Sequence, residues 1–338
     1  MNHLKIITEE PINAGVSLSE LDGTPLPQDR VYMRNSFPIP PSVNGEIEVA
    51  IPGQAPRIVT PAELARMPQV SVDMVLECAG NGRSLMRPVP EGLSWGLGGA
   101  SPIRARGVRL VDVIGELPDE VVAVVLTGLD RGTVWPEGEV RYQFSLDSGL
   151  ARSGTPLLVT HIGDQALSHE RGGPVRIVVP GHYAMNSVKW LARIEGVTAP
   201  FNGHFVERFR YLGDHRFEEG TPVREIQVRS VISSPLDGAL LPTGPITVEG
   251  SAWSGSGPVT KVEISADGGE TWSAAELASG QGAHAAVAWR KQLIARAGEI
   301  RLMVRATDVL GQVQPEQASW NSRGYGNNLI HTIGVTVV

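Results

Sequence analysis

A single thiol is the most reactive group that the sequence offers. Cys78 is the only cysteine among 338 residues, and it follows an apolar run in the segment Leu76-Glu77-Cys78-Ala79-Gly80-Asn81-Gly82-Arg83-Ser84. A thiolate needs positive surroundings to stay deprotonated, and small neighbours let a bulky group approach its sulfur. A lone cysteine is usually a core residue, but this segment is polar and glycine-rich. The pattern therefore favours a soft sulfur ligand for a soft metal.

Three arginines lie in segments of unusual composition. Arg83 follows the thiol in the same loop, Arg34 lies in the proline-bounded residues 32–40, and Arg323 lies among the Gly and Asn residues of 320–328. A single arginine is most often a solvated surface charge. Three of them in Gly-, Asn- and Pro-rich loops are instead candidates for binding an anion, because planar guanidinium groups hold oxyanions bidentately.

The first part of the chain, residues 1–224, predicts a mixed α+β domain in which strands dominate. Glycine- and proline-rich loops alternate with β-rich runs at residues 74–76, 121–127, 157–160 and 175–179. Helix signals are few. Thr60, Pro61 and Glu63 predict a capped helix that ends at Met67, and residues 108–114 predict a second short helix.

From residue 225 onward the pattern is typical of a β-sandwich. Short alternating strands at regular spacing are predicted at residues 246–248, 259–265, 287–295 and 300–307. A polar stretch within residues 219–229 precedes them, so we divide the chain into domains of residues 1–224 and 225–338. A length of 338 residues also favours two domains.

Composition excludes several classes of protein. Charged residues make up 19% and aromatic residues 5%, with 39 Gly and 25 Pro, which indicates a loop-rich globular protein rather than a coiled coil. The net charge of -7 argues against a nucleic-acid partner. Apolar runs are far shorter than the ~20 residues of a membrane span. The first residues carry no secretion signal, so we expect a cytoplasmic protein, or a periplasmic one if an export signal was removed.

Several local patterns suggest other chemistries, and each has a simpler interpretation. Residues 265–272 match the Asp-box of sialidase propellers once, and a propeller needs several copies, so we expect a hairpin turn before a packed Trp272. Eight histidines are scattered without zinc-binding spacing. Residues 92–96 spell G-x-S-x-G without the strand and helix of a nucleophile elbow, and residues 96–99 fit no nucleotide-binding loop.

The thiol loop resembles the molybdenum-binding loop of the sulfite oxidase family, and other segments agree in order. Residues 32–40 resemble the family's arginine–asparagine loop, and residues 95–110 its tryptophan segment. Residues 173–181 and 187–191 are similar to its pterin-phosphate stretch. The resemblance, nearest to bacterial members without a haem domain, covers almost the whole chain. It implies an α+β molybdopterin-binding domain followed by an immunoglobulin-like dimerisation domain.

The resemblance also implies a molybdenum-molybdopterin cofactor and assigns residues to it. The pterin dithiolene, oxo groups and the Cys78 thiolate would ligate the metal. The residues that would line the catalytic oxyanion pocket are Arg34, Cys78, Arg83, Trp95, Tyr211 and Arg323. The residues that would contact the cofactor are Tyr32, Asn35, Ser36, Cys78, Asp130, Arg171, Arg176, Ser187, Val188 and Lys189.

Some positions depart from the family's pattern. In the thiol loop the family usually has two adjacent arginines, whereas this chain has Asn81-Gly82-Arg83. The difference lowers the positive charge of the oxyanion pocket. Ser36 and Arg171 stand where histidines are common, and both changes concern the cofactor. The segment around Tyr211 aligns only after a small shift.

The predicted function is molybdenum-dependent oxidation of sulfite to sulfate. Both anions suit convergent arginines, which would form a local positive funnel on an acidic protein. The sequence shows no haem or flavin signature, so electrons would pass to an external cytochrome or to oxygen. We expect a homodimer, because the strand edges of the second domain need cover and the resemblance implies dimerisation. The open alternatives are a nitrate reductase-like or sulfane dehydrogenase-like enzyme, and a non-catalytic protein that retains the fold.

Overall fold

Strands carry most of the regular structure in residues 3–280 and 282–338, the part of the chain that the computed structural model describes. Residues 3–224, the N-terminal part, contain β1 (Lys5–Thr8), β2 (Asn13–Gly15), β3 (Ile47–Ala50), β4 (Arg57–Val59), β5 (Val70–Glu77), β6 (Ala100–Arg109), β7 (Ala123–Val134), β8 (Gly138–Asp147), β9 (Leu157–Ile162), β10 (Gln165–Ala166), β11 (Arg176–Val178) and β12 (Leu191–Val197). Its α-helices are α1 (Pro61–Leu64), α2 (Leu110–Ile114), α3 (Ser148–Arg152) and α4 (His204–Arg208), and it also contains short 3₁₀ helices at Leu18–Glu20, Gln28–Arg30, Arg83–Leu85, His169–Arg171 and Ala184–Asn186. No helix among the described residues is long and apolar enough to span a membrane.

Two five-stranded sheets organise the N-terminal part. One has the order β10-β9-β6-β5, with β11 also paired to β9, and the other has the order β4-β3-β12-β7-β8. Only the β12–β3 pairing within these sheets is parallel. Apolar side chains of both sheets share one core, which includes Ile47, Leu64, Val124, Leu158 and Ile177.

The C-terminal part, residues 225–338, consists of two packed sheets. Its strands are β13 (Arg229–Ser234), β14 (Leu240–Leu241), β15 (Gly244–Trp253), β16 (Val259–Ser265), β17 (Ser273–Ala274), β18 (Glu276–Leu277), β19 (Val287–Ala295), β20 (Gly298–Asp308) and β21 (His331–Val337). The sheet orders are β13-β15-β19-β18 and β14-β21-β20-β16-β17. Alternate residues of these strands, such as Val248, Trp289 and Leu302, form a second core.

The short helices show where local sequence decides structure and where pairing does. At α1 the Thr60 hydroxyl accepts the Glu63 N–H at 3.1 Å, as the capping pattern predicts, but the helix ends at Leu64 rather than at Met67. At α2 the predicted start at residue 108 is wrong. Residues 108 and 109 remain in β6 because they pair with β9, and the helix begins at Leu110.

The Asp-box segment forms the turn of a hairpin, as predicted. Strands β16 and β17 pair antiparallel on either side of it. Within the turn, the Asp267 carboxylate accepts the Thr271 N–H at 3.0 Å. Trp272 is half-buried, and the Arg305 guanidinium lies 4.1 Å from the centre of its ring.

The two parts of the chain are joined through buried contacts. The Val75 N–H of β5 donates to the His284 carbonyl at 3.1 Å. The Ser251 hydroxyl of β15 donates to the Leu21 carbonyl at 2.8 Å. Trp253 packs into the core of the N-terminal part. The end of β5, where the thiol loop begins, therefore lies against the C-terminal part.

Candidate functional site

A cavity of about 390 Å³, here called the thiol cavity, lies where the loop after β5 meets loops from both parts of the chain. Its cationic lining residues are Arg34, Arg83, Arg171, Arg176, Lys189, Arg208 and Arg323. Its acidic lining residues are Glu91, Asp130 and Glu170, and Tyr32, Ser36, Cys78, Tyr142, Ser187 and Tyr325 add further polar groups. Seven cations against three carboxylates make the cavity positive in a chain of net charge -7, so it is suited to an anionic ligand.

Backbone hydrogen bonds hold the half-buried thiol at the wall of this cavity. The Cys78 N–H donates to the Gly99 carbonyl at 2.8 Å, and the Cys78 carbonyl accepts the Asn81 N–H at 2.9 Å. Gly82 then adopts φ 81°, a left-handed conformation that favours glycine. The chain turns there into a short 3₁₀ helix that starts with Arg83.

Arg83 is fixed by main-chain acceptors from two loops. Its Nε donates to the Arg323 carbonyl at 2.9 Å, and its Nη1 donates to the Leu93 carbonyl at 2.8 Å. Its guanidinium lies 5.6 Å from the ring centre of Tyr325. A Cβ at Gly80 would lie 2.6 Å from Nη2, so the glycine leaves the space that the guanidinium fills.

The three loop arginines line one cavity although they are distant in sequence. Arg34 comes from the loop before β3, Arg83 follows β5, and Arg323 lies between β20 and β21 in the C-terminal part. Arg34 and Arg323 are half-buried. The fold thus brings cations from both parts of the chain to the side of the cavity that carries the thiol.

A second group of cations is buried around β11 and the loop that follows it. Arg171 Nε donates to the Gln28 carbonyl at 2.7 Å, and Arg176 Nη2 donates to the Ser187 carbonyl at 2.9 Å. Burial lowers the pKa of Arg171 and of Arg176 to about 10. Both guanidinium groups therefore stay charged at neutral pH.

Lys189 and Asp130 are two buried groups of opposite charge in the same region, and each influences the pKa of the other. Burial lowers the pKa of Lys189, and the charge of Asp130 opposes that change. Burial also raises the pKa of Asp130 to about 6, against the attraction of Lys189. The Lys189 ammonium donates to the Asn35 side-chain carbonyl and lies 4.3 Å from the ring centre of Trp190.

Buried polar atoms without a protein partner test whether a cofactor fits here. Among the described residues these atoms include Oδ1 of Asp130 and Nη1 of Arg171, which both belong to lining side chains. Such atoms are rarely left unpaired in a folded protein. A pterin offers ring donors and acceptors, and its phosphate suits Arg171, Arg176 and Lys189. The residues present therefore fit the molybdopterin that the sequence implies.

The structure separates two of the predicted catalytic residues from the cavity lining. Arg34, Cys78, Arg83 and Arg323 line the cavity, whereas Trp95 and Tyr211 do not. Trp95 is 1% exposed and packs edge-on against Tyr32 at 5.9 Å. Tyr211 is 3% exposed, and its ring stacks 4.1 Å from that of Phe217. A Cβ at Gly326 would lie 2.6 Å from the Tyr211 hydroxyl, and this hydroxyl is buried without a hydrogen-bond partner among the described residues.

Most of the predicted cofactor residues lie around the cavity. The predicted residues that line it are Tyr32, Ser36, Cys78, Asp130, Arg171, Arg176, Ser187 and Lys189. Asn35 lies behind them and accepts the Lys189 hydrogen bond, and Val188 is fully buried in the core. The side chains of Asn35 and Val188 can therefore act on a cofactor only through their neighbours.

Sequence reasoning missed two lining residues that bear on chemistry. Tyr325 lines the cavity, and its ring is close to the Arg83 guanidinium. Its position two residues after Arg323, in the same glycine-rich segment, was a signal in the sequence that could have identified it. Arg208 is an exposed arginine at the end of the short helix α4, and nothing in its local pattern distinguishes it from a surface charge.

Comparisons with known proteins identify the family of this chain. The description "Oxidoreductase molybdopterin binding domain" matches residues 37–205, and "Mo-co oxidoreductase dimerisation domain" matches residues 221–338. Mouse mitochondrial sulfite oxidase is 33% identical over 366 residues, which cover 99% of this chain and 66% of that protein. The chain thus spans just under two thirds of the length of this relative.

Two further relatives extend the comparison. Chicken sulfite oxidase is 32% identical over 353 residues, which cover 95% of this chain and 75% of that protein. The crystal structure of the sulfane dehydrogenase SoxCD from Paracoccus pantotrophus has a TM-score of 0.83 at 23% identity and covers 97% of this chain and 85% of that one, so the fold is shared. The chain therefore belongs to the sulfite oxidase family of molybdopterin-binding oxidoreductases.

Proposed function

We propose that the protein oxidises sulfite to sulfate and passes the electrons to an external acceptor. The observation that carries this proposal is the meeting of Cys78 with Arg34, Arg83 and Arg323 in one positive cavity. Sulfite and sulfate are small dianions, and charge-assisted hydrogen bonds from guanidinium groups bind such anions strongly. Arg323 comes from the other part of the chain, so the arrangement exists only in the folded protein.

The lining residues divide into two roles. In the proposed assignment, Cys78 ligates the molybdenum, while Arg171, Arg176 and Lys189 hold the phosphate of the pterin. The bound metal centre supplies two-electron oxygen-atom transfer chemistry, which no side chain of the protein can supply. Arg83 orients the substrate, because main-chain acceptors already fix its guanidinium and little reorganisation is needed when the anion binds.

Steady-state kinetics of the molybdenum-loaded protein test the substrate. Sulfite and thiosulfate are compared as substrates with cytochrome c, ferricyanide and oxygen as electron acceptors, and nitrate is tested as a substrate with reduced methyl viologen as the electron donor. We expect the highest kcat/KM for sulfite. Stoichiometric molybdenum without sulfite turnover would support the nitrate reductase-like or sulfane dehydrogenase-like alternative. A chain that binds no molybdenum would instead be a non-catalytic relative.

The assigned metal ligand has its own test. Cys78→Ser should abolish turnover and remove the thiolate-to-metal absorption band while the unfolding midpoint changes little, because the loop lies outside the strands. Since Cys78 is the only cysteine of the chain, no second thiol can replace it. Full activity of this variant would contradict the assignment.

We also infer that the protein is a homodimer in which residues 225–338 form the interface. We propose that these residues are an immunoglobulin-like domain and that residues 1–224 are an α+β catalytic domain. The match of a dimerisation domain to residues 221–338 supports this. The two packed sheets of residues 225–338 also have exposed edge strands that a second copy of the chain can cover. Light scattering at micromolar concentration should give the mass of two chains, and the mass of one would contradict the dimer.

A further inference from the structure

A buried ion pair connects the thiol loop to the C-terminal part of the chain. Glu77 is the last residue of β5 and the direct neighbour of Cys78, and it is 0% exposed. Arg229 is the first residue of β13 and is 2% exposed. The Arg229 Nε atom lies 3.0 Å from Glu77 Oε1. A carboxylate at the base of the thiol loop is therefore neutralised by a cation from the other part of the chain.

Both oxygens of this carboxylate have further partners. Oε2 accepts the indole N–H of Trp253 at 2.7 Å, and Oε1 accepts the side-chain amide of Asn81 at 2.9 Å. Trp253 is the last residue of β15, whereas Asn81 belongs to the thiol loop itself. Glu77 thus links the loop to two different strands of the C-terminal part.

The backbone of the thiol loop is held from the same side. The Asn327 side-chain amide donates to the Gly82 carbonyl at 2.7 Å, and the Gly326 N–H donates to the Ala79 carbonyl at 2.9 Å. Arg229 in turn donates to the Asn327 carbonyl. The C-terminal part therefore contacts the loop on both sides of Cys78.

Stability alone is a poor reason for this arrangement. The free-energy cost of desolvating two charges can equal or exceed the gain from their attraction, and apolar residues of the same volume often stabilise a core as well or better. A buried polar cluster held by several hydrogen bonds does, however, restrict the chain to one local geometry. The cluster lies one residue from the thiol, where geometry matters for a metal ligand.

We propose that Glu77, Arg229 and Trp253 are positioning residues that fix the Cys78 sulfur for the metal, so that the C-terminal part is a component of the metal site as well as a dimerisation domain. The inference rests on the proposed role of Cys78 as the molybdenum ligand. None of the three side chains belongs to the lining of the thiol cavity, so they act through the loop.

Labelling of the single thiol in the cofactor-free chain of 338 residues tests the positioning role. Trp253→Phe keeps an aromatic ring but removes the hydrogen bond to Glu77. The matched control is Trp289→Phe, because Trp289 is equally buried in the same part of the chain and its indole N–H has no partner among the described residues. We expect an aromatic disulfide reagent to label Cys78 at least about tenfold faster in Trp253→Phe than in the wild type, because a lost bond to a charged group eases local opening of the loop.

The control decides between a local and a global effect. The proposal is supported if Cys78 is labelled faster in Trp253→Phe but not in Trp289→Phe. It is overturned if the wild type and both variants are labelled at equal rates, or if both variants are labelled faster by the same factor. If Trp253→Phe does not fold, Arg229→Lys weakens the ion pair with Glu77 and provides the same comparison. In the loaded protein, the thiolate-to-metal absorption band should shift in Trp253→Phe only, and an unchanged band would overturn the link to the metal. A wild type that binds no molybdenum would refute the proposed function while the labelling result still stands.

Discussion

Arg323→Gln removes one guanidinium from the thiol cavity and leaves the backbone in place. The Arg323 carbonyl accepts the Arg83 Nε hydrogen bond at 2.9 Å, and a side-chain substitution keeps this acceptor. Gln also retains much of the side-chain length, so the neighbouring loop need not collapse. The substitution therefore isolates the contribution of one charge to anion binding.

The expected magnitude follows from the setting of the side chain. A hydrogen bond between charged groups contributes about 1.5 to 3 kcal/mol, which corresponds to about 10- to 150-fold in kcat/KM. Arg323 is half-buried rather than buried, so solvent screens part of its charge. We therefore expect a loss near the lower end, about tenfold in kcat/KM for sulfite, with sulfate inhibition weakened in parallel.

Initial rates over a range of sulfite and sulfate concentrations provide the assay. Arg296→Gln is the control, because Arg296 is an exposed arginine of the same part of the chain and lies outside the cavity lining. Values corrected for molybdenum content separate substrate binding from cofactor loss. Unchanged efficiency and unchanged sulfate inhibition in Arg323→Gln would show that the cavity does not bind the substrate anion in the proposed way.

The remaining predictions concern the aromatic hydroxyls, the cofactor and acid stability. Tyr325→Phe should lower kcat/KM for sulfite by about tenfold, whereas Tyr211→Phe should leave it nearly unchanged, because only the first tyrosine lines the cavity; the reverse kinetic result would restore Tyr211 to the site. Lys189→Ala should purify with less than about a tenth of the wild-type molybdopterin, measured by pterin fluorescence, because the proposed role of this lysine is a charge-assisted bond to the pterin phosphate. Burial lowers the pKa of His331 from 6.5 to about 4, so the neutral ring that accepts the Ile232 N–H stabilises the fold above pH 6.5. In urea unfolding, the free energy of unfolding of the wild type should fall by about 3 kcal/mol more than that of His331→Gln as the pH is lowered from 7 to below 4. An equal pH dependence of the free energy of unfolding in both proteins would contradict this.

Features fixed by neighbouring residues were predictable from the sequence. The Thr60 cap needs only the residues that follow it, and it forms as expected. The strands at residues 259–265 and 287–295 have the predicted bounds, because alternation of apolar residues and flanking turns defines them locally. In contrast, β7 begins at Ala123 and extends to Val134, since pairing with β8 rather than hydrophobicity sets its ends.

The composition of the site was only partly predictable, for a physical reason. Sequence motifs identify which loops carry the chemistry, but packing decides which side of a loop faces the cavity. Tyr211 stacks on Phe217, and its hydroxyl lies next to Gly326. Tyr325 occupies the wall beside Arg83 instead. No local pattern distinguishes these two tyrosines, because the difference arises from contacts between segments far apart in the chain.

The thiol cavity spans the boundary between the two parts of the chain, because residues of both parts line it. Removing one partner from a buried ion pair is far more destabilising than removing both, because the remaining charge stays desolvated. Glu77 belongs to the N-terminal part, yet its counter-charge Arg229 belongs to the C-terminal part. The thiol loop thus lies against the C-terminal part, which supplies the counter-charge of Glu77. The C-terminal part also places Arg323 at the cavity wall, so it supplies both an arginine of the cavity and contacts to the thiol loop.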